Sequence, residues 1–369
     1  MTGLSTRTLV CGFNGSLRFI KEEDSTGKNA FSSSWITPFW NDLVNDWSPE
    51  MLSVSSSWEQ LFLHYVGSSE TFSFGSSKMI CTGTVAVAGT LLYCASDDGS
   101  VAVHRPEDAA VITKFTSDGH WRRLKMICAP IAWETGLASK GYRLFGLDFD
   151  GRLFDIGLAN GQMVSKRILM EEIVTEISAG REHALFLSSS GAVYSYGMSS
   201  RGQLGHGHLN NERTATRIED DFGGVKVIQI SAGGWMSMAL NDNGEVFVWG
   251  WNSAGALGLP SRGVRERTGN PIDNNEEYVE VIAEPKRLDL YEKIVWISCG
   301  MRHCGVITRT GSVLVWGLNQ HGQLGLGDTV DRDVPCRVSS PFPDAKICRL
   351  FCGEWNTVLL LQETQRTRT

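Results

Sequence analysis

The chain has 369 residues, of which 42% are hydrophobic and 20% are charged, and its formal net charge is −7. A chain of this size and composition can bury a large core, which excludes a disordered or fibrous protein. The acidic balance argues against a broad nucleic-acid surface, and the sequence has no run of about 18 apolar residues to span a bilayer.

The start of the chain and the cysteines give expectations about the compartment. The first residues, MTGLSTRTLVCGFNG, lack the charged-then-apolar layout of a secretory signal, so we expect an intracellular protein. Nine cysteines without a CxxC pair predict buried thiols rather than a disulfide framework. Cys299 and Cys304 flank His303, and Cys348 precedes Cys352, but neither group has the paired spacing of a zinc site. The sequence therefore predicts no metal and no cofactor.

The first half of the chain contains faint copies of a strand-rich pattern. TLVCGFNG at 8–15 is typical of a single strand, and a long polar connection follows at 19–50. Two weak strand pairs are predicted within 54–75 and 85–103, and a clearer one within 142–157.

The second half repeats one phrase three times, at 177–207, 230–259 and 297–327. Each copy runs from a small-residue turn through a strand pair into an aromatic-Gly step and then a Gly-rich box. A fourth copy, ICRLFCGEWNTVLLLQ, stops at Gln362 without its aromatic-Gly strand. A fixed-period repeat of this kind determines the architecture before any single residue is considered.

The aromatic strand of each copy is apolar on both faces. In EVFVW at 245–249, Val246 and Val248 point one way while Phe247 and Trp249 point the other. VYSYG at Val193–Gly197 and VLVWG at Val313–Gly317 follow the same pattern. Such strands must lie between other layers, which stacked or radially packed sheets provide.

The first strand of each copy ends in very small residues, namely Ser178-Ala179-Gly180, Ser231-Ala232-Gly233, Ser298-Cys299-Gly300 and Phe351-Cys352-Gly353. Strands that converge on a common axis would exclude large side chains there. The glycines of the GQLG boxes at 202–205 and 322–325 predict tight turns, with Leu204 and Leu324 pointing inward.

These patterns predict an all-β fold, a seven-bladed β-propeller formed by residues 1–369 as a single domain. The amino-terminal strand supplies the piece that the last copy lacks, so pairing of the two ends would close the ring and remove an exposed sheet edge. Residues 260–287 interrupt the second copy and predict a loop insertion, either solvated or functional.

The repeats, read as xSxGxxH followed by xVxxWGxNxxGQLG, resemble the regulator of chromosome condensation family of seven-bladed propellers. AGGW at 232–235, WGWN at 249–252, CGEWNT at 352–357 and VSSSW at 54–58 resemble a chromatin-associated branch of that family. This resemblance implies a non-enzymatic nuclear adaptor that partners a Jumonji-C 2-oxoglutarate oxygenase and influences histone methylation and chromosome segregation.

Two other branches fit the sequence less well. The branch that exchanges nucleotide on the small GTPase Ran has a basic amino-terminal tail, whereas the first thirty residues here hold only Arg7, Arg18, Lys21 and Lys28. Exchange activity on a Ran-like GTPase is kept as the alternative function. The ultraviolet-B receptor branch places arginines against tryptophans through GWRHT segments, and the matching GGWMS and GEWNT segments here lack that arginine.

The candidate catalytic residues are two histidines at the start of a strand, His183 and His303. Their slot holds Met236 and Asn356 in the other copies, which favours a structural role in satisfying loop backbone groups. No nucleophile or paired carboxylate recurs at a fixed offset, so the sequence predicts no enzyme.

Two alternatives apply to the aromatic residues on one rim, which either fill gaps between blades or contact a partner, and to the arginines of the insertion, which are either solvated or contact a partner. The asparagine after the aromatic-Gly step is expected to cap a turn through its side chain. Exposed tryptophan and arginine side chains are enriched where proteins bind one another. The candidate partner-binding residues are Trp235, Trp355, Trp58, Trp251, Asn252, Asn356, Arg262, Arg265 and Arg267.

Overall fold

A computed structural model of the chain describes residues 5–12, 34–35, 52–56, 61–65, 71–73, 79–81, 83–88, 91–96, 98–104, 111–115, 123–129, 143–159, 162–219, 222–269, 272–273, 277–338 and 345–363. Apart from two short helices, the elements in this part of the chain are strands, which confirms the all-β class. None of the helices in these ranges is long and apolar enough to cross a membrane.

The described elements of the first half are all strands. They are β1 (Ser5–Gly12), β2 (Ser34–Trp35), β3 (Leu52–Ser56), β4 (Leu61–Tyr65), β5 (Thr71–Ser73), β6 (Met79–Cys81), β7 (Gly83–Ala88), β8 (Leu91–Ser96), β9 (Val101–His104), β10 (Val111–Phe115), β11 (Leu124–Cys128), β12 (Arg143–Asp148), β13 (Leu153–Ala159) and β14 (Gln162–Ile168).

The second half has longer elements and both helices. They are β15 (Val174–Ala179), β16 (His183–Ser188), β17 (Val193–Gly197), β18 (Glu212–Arg217), β19 (Val227–Ala232), β20 (Met236–Asn241), β21 (Val246–Trp251), a 3-10 helix (Ser253–Gly255), α1 (Arg262–Thr268), β22 (Val281–Leu288), β23 (Ile294–Cys299), β24 (His303–Thr308), β25 (Val313–Gly317), β26 (Arg332–Arg337), β27 (Ala345–Cys352) and β28 (Asn356–Glu363).

In the described ranges these strands form seven four-stranded sheets, in which neighbouring strands are antiparallel. Sheets 1 to 6 each take four consecutive strands, from β3–β6 to β23–β26, and sheet 7 combines β27 and β28 with β1 and β2. The first strands of successive sheets contact one another in series from β3 to β27. Consecutive sheets are therefore neighbours in space, with their first strands innermost.

The core consists of apolar layers between successive sheets. Phe247 and Trp249 pack with residues of sheet 4 such as Leu185, whereas Val246 and Val248 pack in a separate cluster with residues of sheet 6. Each face of β21 thus meets a different neighbouring sheet. This arrangement confirms the prediction that the aromatic strands lie between two layers.

The innermost strands converge where their small residues end, as predicted. A Cβ added to Gly180 would lie 2.0 Å from the carbonyl oxygen of Gly233. The same measurement is 2.3 Å from Gly233 to the oxygen of Gly300, and 2.3 Å from Gly300 to that of Gly353. Four successive sheets therefore meet backbone to backbone, because no side chain fits between their turns.

Hydrogen bonds cross between the sheets at this line of glycines, which we call the glycine seam (Gly180, Gly233, Gly300 and Gly353). In three of the four turns, the amide that follows the seam glycine donates to the carbonyl of the seam glycine in the next sheet. These bonds run from Arg181 to Gly233 at 3.1 Å, from Gly234 to Gly300 at 3.1 Å and from Met301 to Gly353 at 3.2 Å.

Serine hydroxyls two residues before the seam glycines also form hydrogen bonds between successive sheets. The oxygens of Ser178, Ser231 and Ser298 accept the amides of Ala232, Cys299 and Cys352 at 2.9, 2.9 and 2.8 Å.

The two ends of the chain pair with each other. The register of β1 against β28 runs from Ser5 opposite Glu363 to Gly12 opposite Asn356. The predicted pairing of the ends is therefore confirmed. Of the predicted connection at 19–50, only 34–35 lies within the described residues.

Two predicted features of the repeats have definite outcomes. Leu204 and Leu324 are buried inside the Gly-rich boxes, as expected. The insertion, by contrast, is shorter than predicted, because residues 281–287 belong to β22, the outermost strand of sheet 5. That strand was missed because four of its eight residues are polar or proline and its sequence has no clear alternation.

The glycine seam predicts that adding one methyl group to a seam glycine lowers the free energy of unfolding. Gly233→Ala places a Cβ 2.3 Å from a backbone oxygen, so we expect a loss of about 2 kcal/mol and a Tm lower by about 2–3 °C. Gly263→Ala in α1 is the control, because its Cβ would meet only the flexible end of Arg267 at 3.3 Å and alanine favours the helix. Equal Tm values for the two variants would contradict a tight seam.

Candidate protein-binding rim

The turns that follow the innermost strands lie at one edge of the sheets, and this edge carries the candidate site. In each turn the residue before the histidine slot projects from the rim: Glu182 in sheet 4, Trp235 in sheet 5, Arg302 in sheet 6 and Trp355 in sheet 7. All four side chains are partly exposed. Because the glycine seam holds successive turns together, residues that are distant in sequence become neighbours here.

Trp235 is held on both sides by the neighbouring sheets. Its indole Nε1 donates a 3.0 Å hydrogen bond to Oε2 of Glu182. The guanidinium of Arg181 lies 4.7 Å from the centre of the Trp235 ring, and that of Arg302 lies 6.0 Å from it. These are cation–π distances, so the indole is fixed in position while part of its surface stays accessible.

Trp251, at the end of β21, extends the cluster. Its ring centre lies 5.5 Å from that of Trp235 in an edge-to-face arrangement. The guanidinium of Arg302 is 5.4 Å from the Trp251 ring centre, and that of Arg201 is 5.2 Å from it. Arg181, Glu182, Arg201, Trp235, Trp251 and Arg302 together form what we call the arginine–tryptophan patch.

The patch contains arginines beside the tryptophans although the GGWMS and GEWNT segments lack one. The GGWMS segment indeed has none, but Arg181 and Arg302 reach Trp235 from the equivalent turns of the sheets on either side. Four of the patch residues, Arg181, Glu182, Arg201 and Arg302, were therefore absent from the predicted site. Glu182, Trp235, Arg302 and Trp355 share one position of the repeat, but that alignment does not show that the side chains of successive sheets meet.

Trp355 forms a second aromatic group on the same rim. Its ring packs edge-to-face against His321, with the ring centres 5.2 Å apart. His321 and Arg201 occupy the same position of the Gly-rich box in their copies, so each packs on a tryptophan of the next sheet. Trp58, the third predicted aromatic contact, lies outside the described residues.

Two of the predicted contact residues lie inside the fold instead of on its surface. Asn252 is buried, and its side-chain nitrogen donates to the carbonyls of Leu259 and Val279 at 2.9 and 2.8 Å. Its side-chain oxygen accepts the amide of Leu257 at 2.9 Å. Asn356 is also buried. Asn252 thus shapes the loop after β21, as its position in the turn predicts, and neither asparagine offers its side chain to a partner.

The arginines of the insertion lie on or beside α1 and are largely engaged within the chain. Arg265 binds the buried carboxylate of Asp333 at 2.9 Å, and Arg267 binds that of Asp331 at 3.1 Å. Arg262 is exposed and pairs along the helix with Glu266 at 3.3 Å. The helix is thus attached to sheet 6 by two ion pairs with buried aspartates, and Arg262 is its most exposed arginine.

The candidate catalytic histidines are buried links between sheets. Nε2 of His183 lies 2.9 Å from the hydroxyl oxygen of Ser237, and Nε2 of His303 lies 3.0 Å from that of Thr357. Burial lowers the pKa of His183 to about 3 and that of His303 to about 4. Both imidazoles are therefore neutral near pH 7. The structural role is confirmed, but the bonded partner is a hydroxyl of the next sheet rather than loop backbone alone.

Glu176 on β15 is partly exposed as a residue, but its carboxylate is enclosed against the next sheet. Burial raises its pKa to about 8, although its Oε2 accepts the amide of Ile230 at 3.3 Å and Lys125 has a smaller opposing effect. Gln229 occupies the same position on β19 and exchanges two bonds with Ile297, at 3.0 and 3.1 Å. The amide of Gln229 thus makes two hydrogen bonds to the next sheet, whereas the carboxylate of Glu176 makes one. Both side chains link successive sheets, so position 176 has a structural role.

Cys299 on β23 and Cys304 on the adjoining β24 form part of the core. The thiol of Cys304 lies 3.6 Å from the sulfur of Cys299, and burial raises its pKa well above the ordinary value. A buried thiol of this kind is unreactive. Within the described ranges, no group of three or more His, Cys, Asp or Glu residues is placed to hold a metal ion.

Stacked four-stranded sheets, the glycine seam and an aromatic rim together define a repeat protein built for surface binding. The chain matches the regulator of chromosome condensation (RCC1) repeat at residues 190–240, 243–307 and 310–360. A second description of the same repeat matches 174–203, 227–256 and 294–323. The chain belongs to the RCC1 repeat family.

Individual relatives agree with this assignment. The chain is 36% identical to the human RCC1 domain-containing protein 1 over 213 residues, which is 51% of this chain and 56% of that protein. It is 32% identical to the ultraviolet-B receptor UVR8 of Arabidopsis thaliana over 245 residues, or 65% of this chain and 51% of the receptor. The matched region thus spans little more than half of each of these relatives.

A solved structure extends the similarity to the fold of the whole chain. Prp20p of Saccharomyces cerevisiae, a structure reported together with its binding properties to Gsp1p and histones, has a TM-score of 0.67 over 98% of this chain and 92% of its own. The two sequences are 17% identical, so this match concerns the fold alone.

Position 176 predicts a pH-dependent effect of a single substitution. A raised folded-state pKa means that Glu176 favours folding below its unfolded pKa of about 4.5 and loses that contribution as pH rises toward 8. We expect Glu176→Gln to stabilise the protein by about 1 kcal/mol at pH 8 and to have little effect near pH 4.5. Urea unfolding at both pH values measures the difference.

Gln229→Glu is the matched control, because it introduces an acid at the equivalent position of the next sheet. It should destabilise the protein more at pH 8 than near pH 4.5. A stabilisation by Glu176→Gln that did not change with pH would show that folding does not raise the pKa of Glu176.

Proposed function

We propose that this protein is a non-enzymatic adaptor whose seven sheets are the blades of a closed seven-bladed propeller. The series of contacts between innermost strands and the pairing of β1 with β28 support a closed ring. The similarity to the fold of Prp20p supports the propeller arrangement. In this arrangement the rim is a rigid surface offered to other proteins.

One observation carries the binding role: two partly exposed tryptophans on the rim are held in place by side chains of three sheets. Fixed indoles lose little conformational entropy on binding, and tryptophan and arginine dominate the energetics of protein interfaces. His183 and His303 are buried and neutral and Glu176 links two sheets, so these three residues are not placed for acid–base catalysis.

We propose a Jumonji-C 2-oxoglutarate oxygenase as the partner, with the complex acting in the nucleus on histone methylation and chromosome segregation. The AGGW, WGWN and CGEWNT segments, which resemble the chromatin-associated branch of the family, support this assignment. The similarity to the human RCC1 domain-containing protein 1 supports the same branch. Contact with chromatin would be indirect, through the partner, because the net charge of −7 disfavours direct nucleic-acid binding.

The second candidate function is binding to, or nucleotide exchange on, a Ran-like small GTPase. It is favoured by the fold similarity to Prp20p, whose structure was reported together with its binding to Gsp1p.

Affinity capture from nuclear extract tests the adaptor role. The wild-type protein should retain a Jumonji-C oxygenase identifiable by mass spectrometry, and the Trp235→Ala, Trp355→Ala double variant should lose at least about nine-tenths of it. Tyr291→Ala is the control, because Tyr291 is fully exposed before β23, at the end of that strand opposite the rim. Equal capture by the double variant would exclude the rim tryptophans, and absence of any Jumonji-C oxygenase would contradict the proposed partner.

A nucleotide-release assay separates the two functions. Ran loaded with a fluorescent GDP analogue should release it at the same rate with and without this protein, because an adaptor has no role in exchange. An acceleration that follows the protein concentration would contradict the adaptor and support exchange activity.

A further inference from the structure

The arginine–tryptophan patch has the opposite charge to the protein as a whole. Three arginines and one glutamate give it a formal charge of +2, whereas the whole chain carries −7. Within the described residues, none of Arg181, Arg201 and Arg302 forms an ion pair with a carboxylate; each lies instead over an indole. Glu182 lies beside them, but one of its oxygens is occupied by the indole N–H of Trp235.

The geometry leaves most of the guanidinium N–H groups available to an anion, although Nη1 of Arg201 donates to the carbonyl of Ser200 at 3.2 Å. A guanidinium that lies over an aromatic ring uses its flat face for that contact, and its N–H groups point outward along its edge. Those edges match the two oxygens of a carboxylate. Arg201 is exposed and Arg302 is partly exposed, so their edges can be reached from solvent, and both converge on Trp251.

The surroundings of the patch favour a short acidic segment over a nucleic acid. The backbone amide of Asn252 donates to the carbonyl of Glu280 at 2.9 Å, which places this exposed acid next to Trp251. A nucleic acid carries its negative charge along its whole length and would be repelled by the rest of the chain, whose formal charge outside the patch is −9 (−7 minus +2). A peptide can present two or three carboxylates to the arginines and apolar atoms to the indoles.

We propose that the arginine–tryptophan patch binds an extended Asp- and Glu-rich segment of a partner protein. The carboxylates pair with the guanidinium edges of Arg201 and Arg302, and the segment packs against Trp251 and Trp235. This assignment of partner chemistry rests on the proposed protein-binding function. It predicts affinity that falls with added salt, because charge pairing supplies much of the attraction.

Fluorescence anisotropy with synthetic peptides tests the proposal without an identified partner. The probe is a fluorescein-labelled peptide of about 12 residues, rich in Asp and Glu, and its matched control has Asn and Gln in their place. We expect the full-length protein to bind the acidic peptide at least about tenfold more tightly than the amide peptide, and more weakly as salt is raised. Equal binding of the two peptides would overturn the proposal.

Two variants assign the binding to the patch. Arg201→Gln with Arg302→Gln should weaken binding of the acidic peptide at least about tenfold, while Arg262→Gln, which removes an exposed arginine on α1, should change it less than about twofold. Both proteins are first compared by circular dichroism and Tm, and Arg302→Lys, which keeps the charge but loses the planar edge, should give an intermediate loss. An unchanged affinity in the double variant would contradict the site.

A single-stranded oligodeoxythymidine of similar length is the third probe. Tighter binding of this probe than of the acidic peptide would overturn the choice of a peptide ligand. Failure of the acidic-peptide proposal is distinguishable from failure of the proposed adaptor function. Capture of a Jumonji-C oxygenase without acidic-peptide binding would reject the patch chemistry alone, and peptide binding without capture would reject the proposed partner alone.

Discussion

The contact between glycine turns of successive sheets is the constraint on which the rest of the structure depends. The carbonyl oxygen of each glycine turn accepts a hydrogen bond from an amide of the preceding turn. A Cβ added to the glycines would lie only 2.0 to 2.3 Å from that oxygen, so no side chain fits there. The apolar layers further out hold the sheets together without specifying their separation. The seam specifies it, because hydrogen bonds have a narrow range of length.

The seam also explains why the binding features lie where they do. It brings equivalent turns within reach of one another, so a residue at one position of a repeat contacts the same or a neighbouring position in the next. Glu182, Trp235 and Arg302 illustrate this, since they are consecutive members of one column and are joined by a hydrogen bond and a cation–π contact. The rim is rigid because its residues are tied to sheets on both sides, and rigid aromatic surfaces bind at a lower entropic cost.

The sequence predicted the parts of the fold whose pattern is local. Strands β17 and β25 have the bounds predicted for them, because both faces of these strands are apolar and a glycine ends each one. The outermost strands, such as β18, were not predicted, since they are polar and partly exposed and therefore resemble loops. Helix α1 was missed for a related reason: it is short, and its ion-pair partners Asp331 and Asp333 lie in another repeat.

The candidate site shows the same division. Trp235, Trp251 and Trp355 were found from their motifs, whereas the arginines around them come from other repeats and are absent from those motifs. The alternation of histidine, methionine and asparagine in one slot correctly indicated a structural role. It did not indicate the bonded partner, because Ser237 and Thr357 become neighbours of the histidines only after the sheets stack.

Amide hydrogen exchange tests the seam most directly. If the seam sets the spacing of the sheets, the amides of Arg181, Gly234 and Met301 exchange as slowly as the amides in the centres of β16, β20 and β24, because they open only when the sheets separate. Exchange of these three amides at the rate of freely opening surface turns would contradict the account, since the sheets would then be held by their apolar layers alone.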